Sequence, residues 1–107
     1  MAIFQEGLPM TNRIEISLYY DDHVYETEEE YAIISDNRIC FYEATSEKAP
    51  GERYAFKHEM NEENTQKLFD SLKPLYGEPP ESIRKAFDGK NSMAKVKRYC
   101  QEHDIQF

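Results

Sequence analysis

The residues best equipped for chemistry lie in one stretch, YYDDHVYETEEEY, residues 19–31, which holds six carboxylates, four tyrosines, one histidine and no lysine or arginine. Carboxylates beside an imidazole suit three tasks: holding a metal ion, moving a proton, or presenting negative charge to a basic surface. Calcium loops alternate oxygen ligands around a tight glycine-bearing turn, and DDHVYETEEE has neither that spacing nor a glycine. Zinc sites pair His or Cys at short fixed separations, whereas His23, His58 and His103 stand alone. No metal site and no cofactor is expected.

Proton transfer needs carboxylates whose surroundings drive their pKa values apart, and a run such as Glu28, Glu29 and Glu30 does not by itself supply a pocket. His58 falls on the apolar side of its predicted strand and His103 near the apolar side of its predicted helix. Neither has a serine or cysteine at a motif spacing, and G-x-S-x-G, P-loop and G-x-G-x-x-G patterns are absent. The chain is therefore expected not to be an enzyme.

The third task fits the charge layout. Residues 1–51 contain eleven acids and three bases, whereas residues 52–107 contain ten of each, so the whole net charge of −8 sits in the first half. Such a field attracts basic surfaces and repels nucleic acid and anionic membranes. Tyrosines among carboxylates add rings that can be buried against a partner. The expectation is a small acidic adaptor, regulator or inhibitor that binds a basic protein through Tyr19, Asp21, Asp22, Tyr25, Glu28, Glu29 and Glu30. In size and charge alone it resembles DNA mimics and phage-encoded inhibitors.

Two other surfaces compete with this one. ESIRKAFDGKNSMAKVKRYCQEHDI loosely resembles a helix-turn-helix, and Lys95 and Arg98 project from the outer side of its second helix, where phosphates would be met. Without an overall positive charge, nucleic acid is the less favoured partner. The second surface comes from the hairpin YAIISDNRICFYEA. An Asp36-Asn37 turn would pair Ile34 with Ile39 and Ile33 with Cys40, leaving Tyr31, Ile33 and Tyr42 on one apolar side for self-association into a homodimer.

The elements that must position these residues follow from periodicity. RIEISLYY alternates as a strand with Ile14, Ile16, Leu18 and Tyr20 on one side, followed by a polar turn at Asp21, Asp22 and His23. A second strand begins near Val24, and the hairpin continues the meander. EATSEKAPGE reads as a loop, and RYAFKHEM as a strand with Tyr54, Phe56, His58 and Met60 on one side. Asn61 then caps a helix carrying Leu68, Phe69, Leu72 and Leu75, with Pro74 and Gly77 near its end. Ile83, Ala86 and Phe87 mark a short helix closed by Gly89. Ser92 is the expected cap of a last helix with Met93, Val96, Tyr99 and Cys100 inward, and DIQF forms a tail or short edge strand.

Strands followed by helices predict an α+β fold: an antiparallel β-meander of about four strands, then two to three helices packed on one face. Residues 1–12 are expected to be a flexible N-terminal arm and residues 13–107 a single α+β domain. Cys40 and Cys100, without C-x-x-C spacing, read as free buried thiols. No signal peptide or membrane-length apolar run is evident, and cytoplasmic residence follows as the default expectation.

Overall fold

The computed structural model describes residues 13–49 and 51–107. The arm expected at residues 1–12 lies outside the described residues. Among the described residues four strands precede the helices: β1 (Ile14–Asp22), β2 (Glu26–Ser35), β3 (Arg38–Glu47) and β4 (Arg53–Glu59). Three helices follow: α1 (Glu62–Tyr76), α2 (Glu81–Phe87) and α3 (Ser92–Glu102). The strands lie in chain order in one antiparallel sheet, the α+β meander that the sequence predicts.

The β2–β3 hairpin turns on Asp36 and Asn37, with φ of 53° and 66°. Both residues tolerate the left-handed region, and the two-residue turn they form sets the register. Ile34 accordingly faces Ile39, and Ile33 faces Cys40.

The β1–β2 hairpin differs from expectation. Asp21 and Asp22 are not in the turn; they end β1 opposite Glu28 and Thr27, and the chain reverses over His23, Val24 and Tyr25, where the His23 N–H donates to the Glu26 carbonyl at 2.8 Å. A bulge at Leu18 also breaks the alternation, because Ser17 faces Tyr31 while Tyr19 already faces Glu30. Past the bulge Tyr19 and Asp21 share a side with the buried residues. Tyr20, expected inward, is carried to the opposite side and is 59% exposed. The loop expected over residues 43–52 is shorter, because β3 extends to Glu47.

Helix α1 begins as its sequence dictates. The Asn61 side chain accepts the Asn64 N–H at 2.8 Å, and Glu62 and Glu63 sit in the first turn, favourably placed beside the helix dipole. Its other end closes on Gly77, φ 86°, whose N–H donates to the Lys73 carbonyl. The buried side of α1 runs through Asn64, Thr65, Leu68 and Leu72, and Leu75, expected inward, is exposed.

The helices pack on one face of the sheet. Ile16, Leu18, Ala32, Ile34, Ile39 and Phe41 meet Leu68, Leu72, Ile83, Phe87, Val96 and Cys100 in the core, with Phe41 and Phe87 edge to face at 6.4 Å. Thr65 ties α1 to the sheet by accepting the Ile39 N–H at 3.2 Å. The tail after α3 forms no strand, but Ile105 is buried and Gln106 donates its N–H to the Asn64 side chain at 3.0 Å. Cys40 and Cys100 are free and buried.

Candidate functional site

The helix layer covers only part of the sheet. Its boundary is set where the turn between α2 and α3 touches β1 and β2: Gly89, at φ 103°, donates its N–H to the Leu18 carbonyl at 2.7 Å. Beside it, Asn91 and Ser92 donate backbone N–H groups to the Glu30 carboxylate at 2.9 and 2.6 Å. Beyond that line, residues 19–29, 43–49 and 51–56 project as an overhang that no helix covers among the described residues. Tyr54 and Phe56, on the helix-facing side of β4, are 51% and 71% exposed there. The apolar side expected for RYAFKHEM is therefore uncovered at its first half, and Phe56 belongs to no core.

The expected binding residues divide between the two sides of this overhang, and one leaves the set. Glu30 is 6% exposed, and besides the two amides it accepts the Ser92 hydroxyl at 2.8 Å. It is a buried structural carboxylate, not part of a solvated acidic surface. It also performs the capping expected of Ser92: Asn91 precedes α3 in a left-handed conformation without a side-chain cap, and the first turn of α3 has no acid of its own. The negative charge that favours a helix N-terminus is supplied across the molecule by the sheet.

On the side away from the helices, Asp22 and Glu29 have bases at hand. The Lys48 ammonium lies 2.6 Å from Asp22, and Arg53 lies 4.0 Å from Glu29. On the helix-facing side, Asp21 and Glu28 oppose each other directly, a like-charge pairing that costs stability. Their nearest basic group is the His23 ring, 3.3 Å from Asp21 and 3.6 Å from Glu28. Glu43 faces Glu30, and its carboxyl is pushed above the ordinary glutamate value by loss of hydration and then by the Glu30 charge. Tyr19 donates its hydroxyl to Asp21 at 3.0 Å. Its phenol is raised by lost hydration, by that hydrogen bond and by the surrounding carboxylates.

Between the overhang and the α2–α3 turn lies a cleft of ≈ 220 Å³. Glu28 and Glu43 line it with Tyr54 and Phe56, and Lys90 and Asn91 contribute from the turn. Carboxylates beside exposed rings suit a guanidinium or ammonium group with an aliphatic stem, which would stack on the aromatics while its charge meets the acids. Tyr25, 83% exposed at the hairpin tip, stands apart from the cleft. Sequence reasoning missed Glu43, Tyr54 and Phe56 as neighbours of Glu28. The pairing of Glu28 with Thr45 and Thr45 with Tyr54 brings them together, and that register depends on the length of β3.

The remaining candidates are dispersed. Tyr31 and Tyr42 are stacked, with ring centroids 4.8 Å apart and planes 7° apart, beside Ile33 on the side of the sheet away from the helices. Lys95 is exposed and donates its ammonium to the Asp88 carbonyl at 2.7 Å; Arg98 is exposed farther along α3. His58 stacks on Phe107 at 3.8 Å and His103 on Tyr99 at 4.1 Å, so both rings serve packing. Among the described residues, no three His, Cys, Asp or Glu side chains are arranged to hold a metal ion. No helix among them is long and apolar enough to cross a membrane. Comparison with protein-family models, curated proteins and solved structures finds no match to this chain.

Proposed function

We propose that this protein is a non-enzymatic binding module that engages a basic protein partner, acting as an adaptor, regulator or inhibitor. The contact is placed on the helix-facing side of the overhang, with Asp21, Glu28 and Glu43 as the acidic groups and Tyr54 and Phe56 as the apolar ones. The observation that carries this reading is the direct opposition of Asp21 and Glu28 beside a cleft that also holds Glu43. Opposed like charges weaken a sheet, and a basic side chain from a partner would relieve that cost on binding. Asp22 and Glu29, already beside Lys48 and Arg53, have less to gain and act mainly in long-range attraction.

The test is capture of partners by the full chain from native cell lysate, with and without nuclease treatment, at low and at high salt. A basic protein recovered at low salt should bind at least tenfold more weakly to a Glu28→Lys, Glu43→Gln variant, while Asp22→Asn has a smaller effect. Equal recovery by both variants would remove the cleft from the reading. Recovery of nucleic acid in place of protein, lost on replacing Lys95 and Arg98, would transfer the function to α3.

A further inference from the structure

Strand β4 closes one edge of the sheet, and among the described residues no strand pairs with its outer side. Every residue of β4 except His58 is exposed, including Tyr54 and Phe56. An open edge normally invites unspecific pairing, and chains blunt it with bulges or repulsive charge. The other edge among the described strands, β1, is blunted in both ways, by the bulge at Leu18 and by Glu15, Asp21 and Asp22. β4 has no such bulge, and its charges are arranged differently.

We propose that β4 is a homodimer edge, pairing antiparallel with β4 of a second copy about a two-fold axis at Phe56. The strand reads Arg53, Tyr54, Ala55, Phe56, Lys57, His58, Glu59. Folded about Phe56, it sets Arg53 opposite the other copy's Glu59, Tyr54 opposite His58, Ala55 opposite Lys57, and Phe56 opposite itself. Both ends then carry an opposite-charge pair, the rings meet on the helix-facing side, and the long Lys57 faces the small Ala55. Moving the axis by one residue destroys this match. An axis at Ala55 opposes Arg53 to Lys57, and an axis at Lys57 opposes that lysine to itself.

The backbone is compatible with the same axis. Met60 donates its N–H to the Ile39 carbonyl, and Glu52 accepts from Glu47. Even-numbered residues of β4 therefore direct their amides and carbonyls toward β3. Arg53, Ala55, Lys57 and Glu59 direct theirs outward, where a second copy would meet them. Phe56 then occupies a non-hydrogen-bonded position, the closer kind of cross-strand pair, which brings the two rings together. The result is a continuous sheet joining the four described strands of each copy, with the helices of both copies on the same side. This pairing shares Tyr54 and Phe56 with the proposed acidic contact but depends on the edge backbone, Arg53 and Glu59 rather than on Asp21 or Glu28, so the two fail under different substitutions.

Sedimentation of the full chain tests it, because the 12.7 kDa mass should double as concentration rises. Arg53→Glu and Glu59→Arg should each weaken self-association at least tenfold, by placing like charges at both ends of the pairing. An equimolar mixture of the two variants should regain a dimer, because each then supplies the charge the other lacks; this rescue also requires both to be folded. Phe56→Cys should form an intermolecular disulfide under mild oxidation, whereas Ala55→Cys should not. A wild-type chain that stays monomeric, a dimer indifferent to both charge reversals, a mixture that fails to recover, or open-ended assemblies would each overturn the proposal.

Discussion

The Glu30 carboxylate, in the middle of β2, lies 2.6 Å from the Ser92 N–H and accepts the Ser92 hydroxyl as well, joining the sheet to the start of α3 across sixty-two residues of chain. A third donor, the Asn91 N–H, completes the cluster. An acid on a sheet thus takes the role that a capping side chain and first-turn acids take in α1.

Removing that carboxylate leaves the buried Ser92 amide and hydroxyl, and the part-buried Asn91 amide, without their acceptor. Glu30→Ala should cost about 3 kcal/mol of stability, the scale for breaking a buried, charge-assisted network. Ser92→Ala removes one hydroxyl and should cost about 1 kcal/mol. Glu30→Gln should fall between them, because its amide retains one acceptor oxygen. Urea denaturation gives the three values; a Glu30→Ala chain as stable as wild type would mean that the α3 terminus is held by other contacts.

This cluster also marks how far the sequence could be read. The hairpin register at Asp36-Asn37, the cap of α1 and the strands-then-helices order are local, resting on turn dihedrals, capping and hydrophobic period, and all three are present. Alternation places Glu30 on the same side as Ala32 and Ile34, a parity that grouping Glu28, Glu29 and Glu30 in one binding surface overlooks. The bulge at Leu18 and the limit of the helix layer are not local. Tyr20 changes sides because of the bulge, and Phe56 is bare because α2 and α3 turn back at Gly89, which no residue near Phe56 encodes. The acidic run was visible, but its division into a side beside Lys48 and Arg53 and a side around a cleft required the fold.

Glu43 provides a pH signature of the acidic cleft. Its carboxyl is raised above the ordinary 4.5, so the folded chain holds this proton more tightly than the unfolded chain does. The contribution to stability is full at low pH and is lost as pH rises through the folded-state value. Glu43→Gln should therefore match wild type below pH 4.5 and become the more stable protein above it. The gain should stay under about 1 kcal/mol because solvent screens a partly exposed charge. Urea midpoints across the pH range would reveal the divergence, and a variant less stable at neutral pH would refute it.

Cys100 should be chemically silent in the folded protein. Burial raises its thiol from 9.0 to about 11, which lowers the thiolate fraction near neutral pH about a hundredfold, since 11 − 9 is two powers of ten. Steric enclosure at 0% exposure slows it further. Iodoacetamide should label Cys100 only as urea unfolds the chain, and peptide mapping should show labelling tracking the circular dichroism transition. Fast labelling in native buffer would show that α3 opens locally without global unfolding.

Tyr31 and Tyr42 face each other directly on β2 and β3, and their stacked rings occupy the side of the sheet that no helix covers among the described residues. Each ring shields one face of the other, so removing either one exposes its neighbour as well. A double-mutant cycle with Tyr31→Ala and Tyr42→Ala should therefore yield a coupling of about 0.5–1 kcal/mol in favour of the pair, the range for aromatic cross-strand contacts. The Tyr42 phenol is held above its ordinary value by the neighbouring Cys40 side chain and then by burial, so it should titrate late in an alkaline absorbance titration. Removing Tyr31 opens the ring to water and should bring that titration down. Additive single-mutant costs with an unchanged Tyr42 titration would mean that the stack contributes no stability of its own.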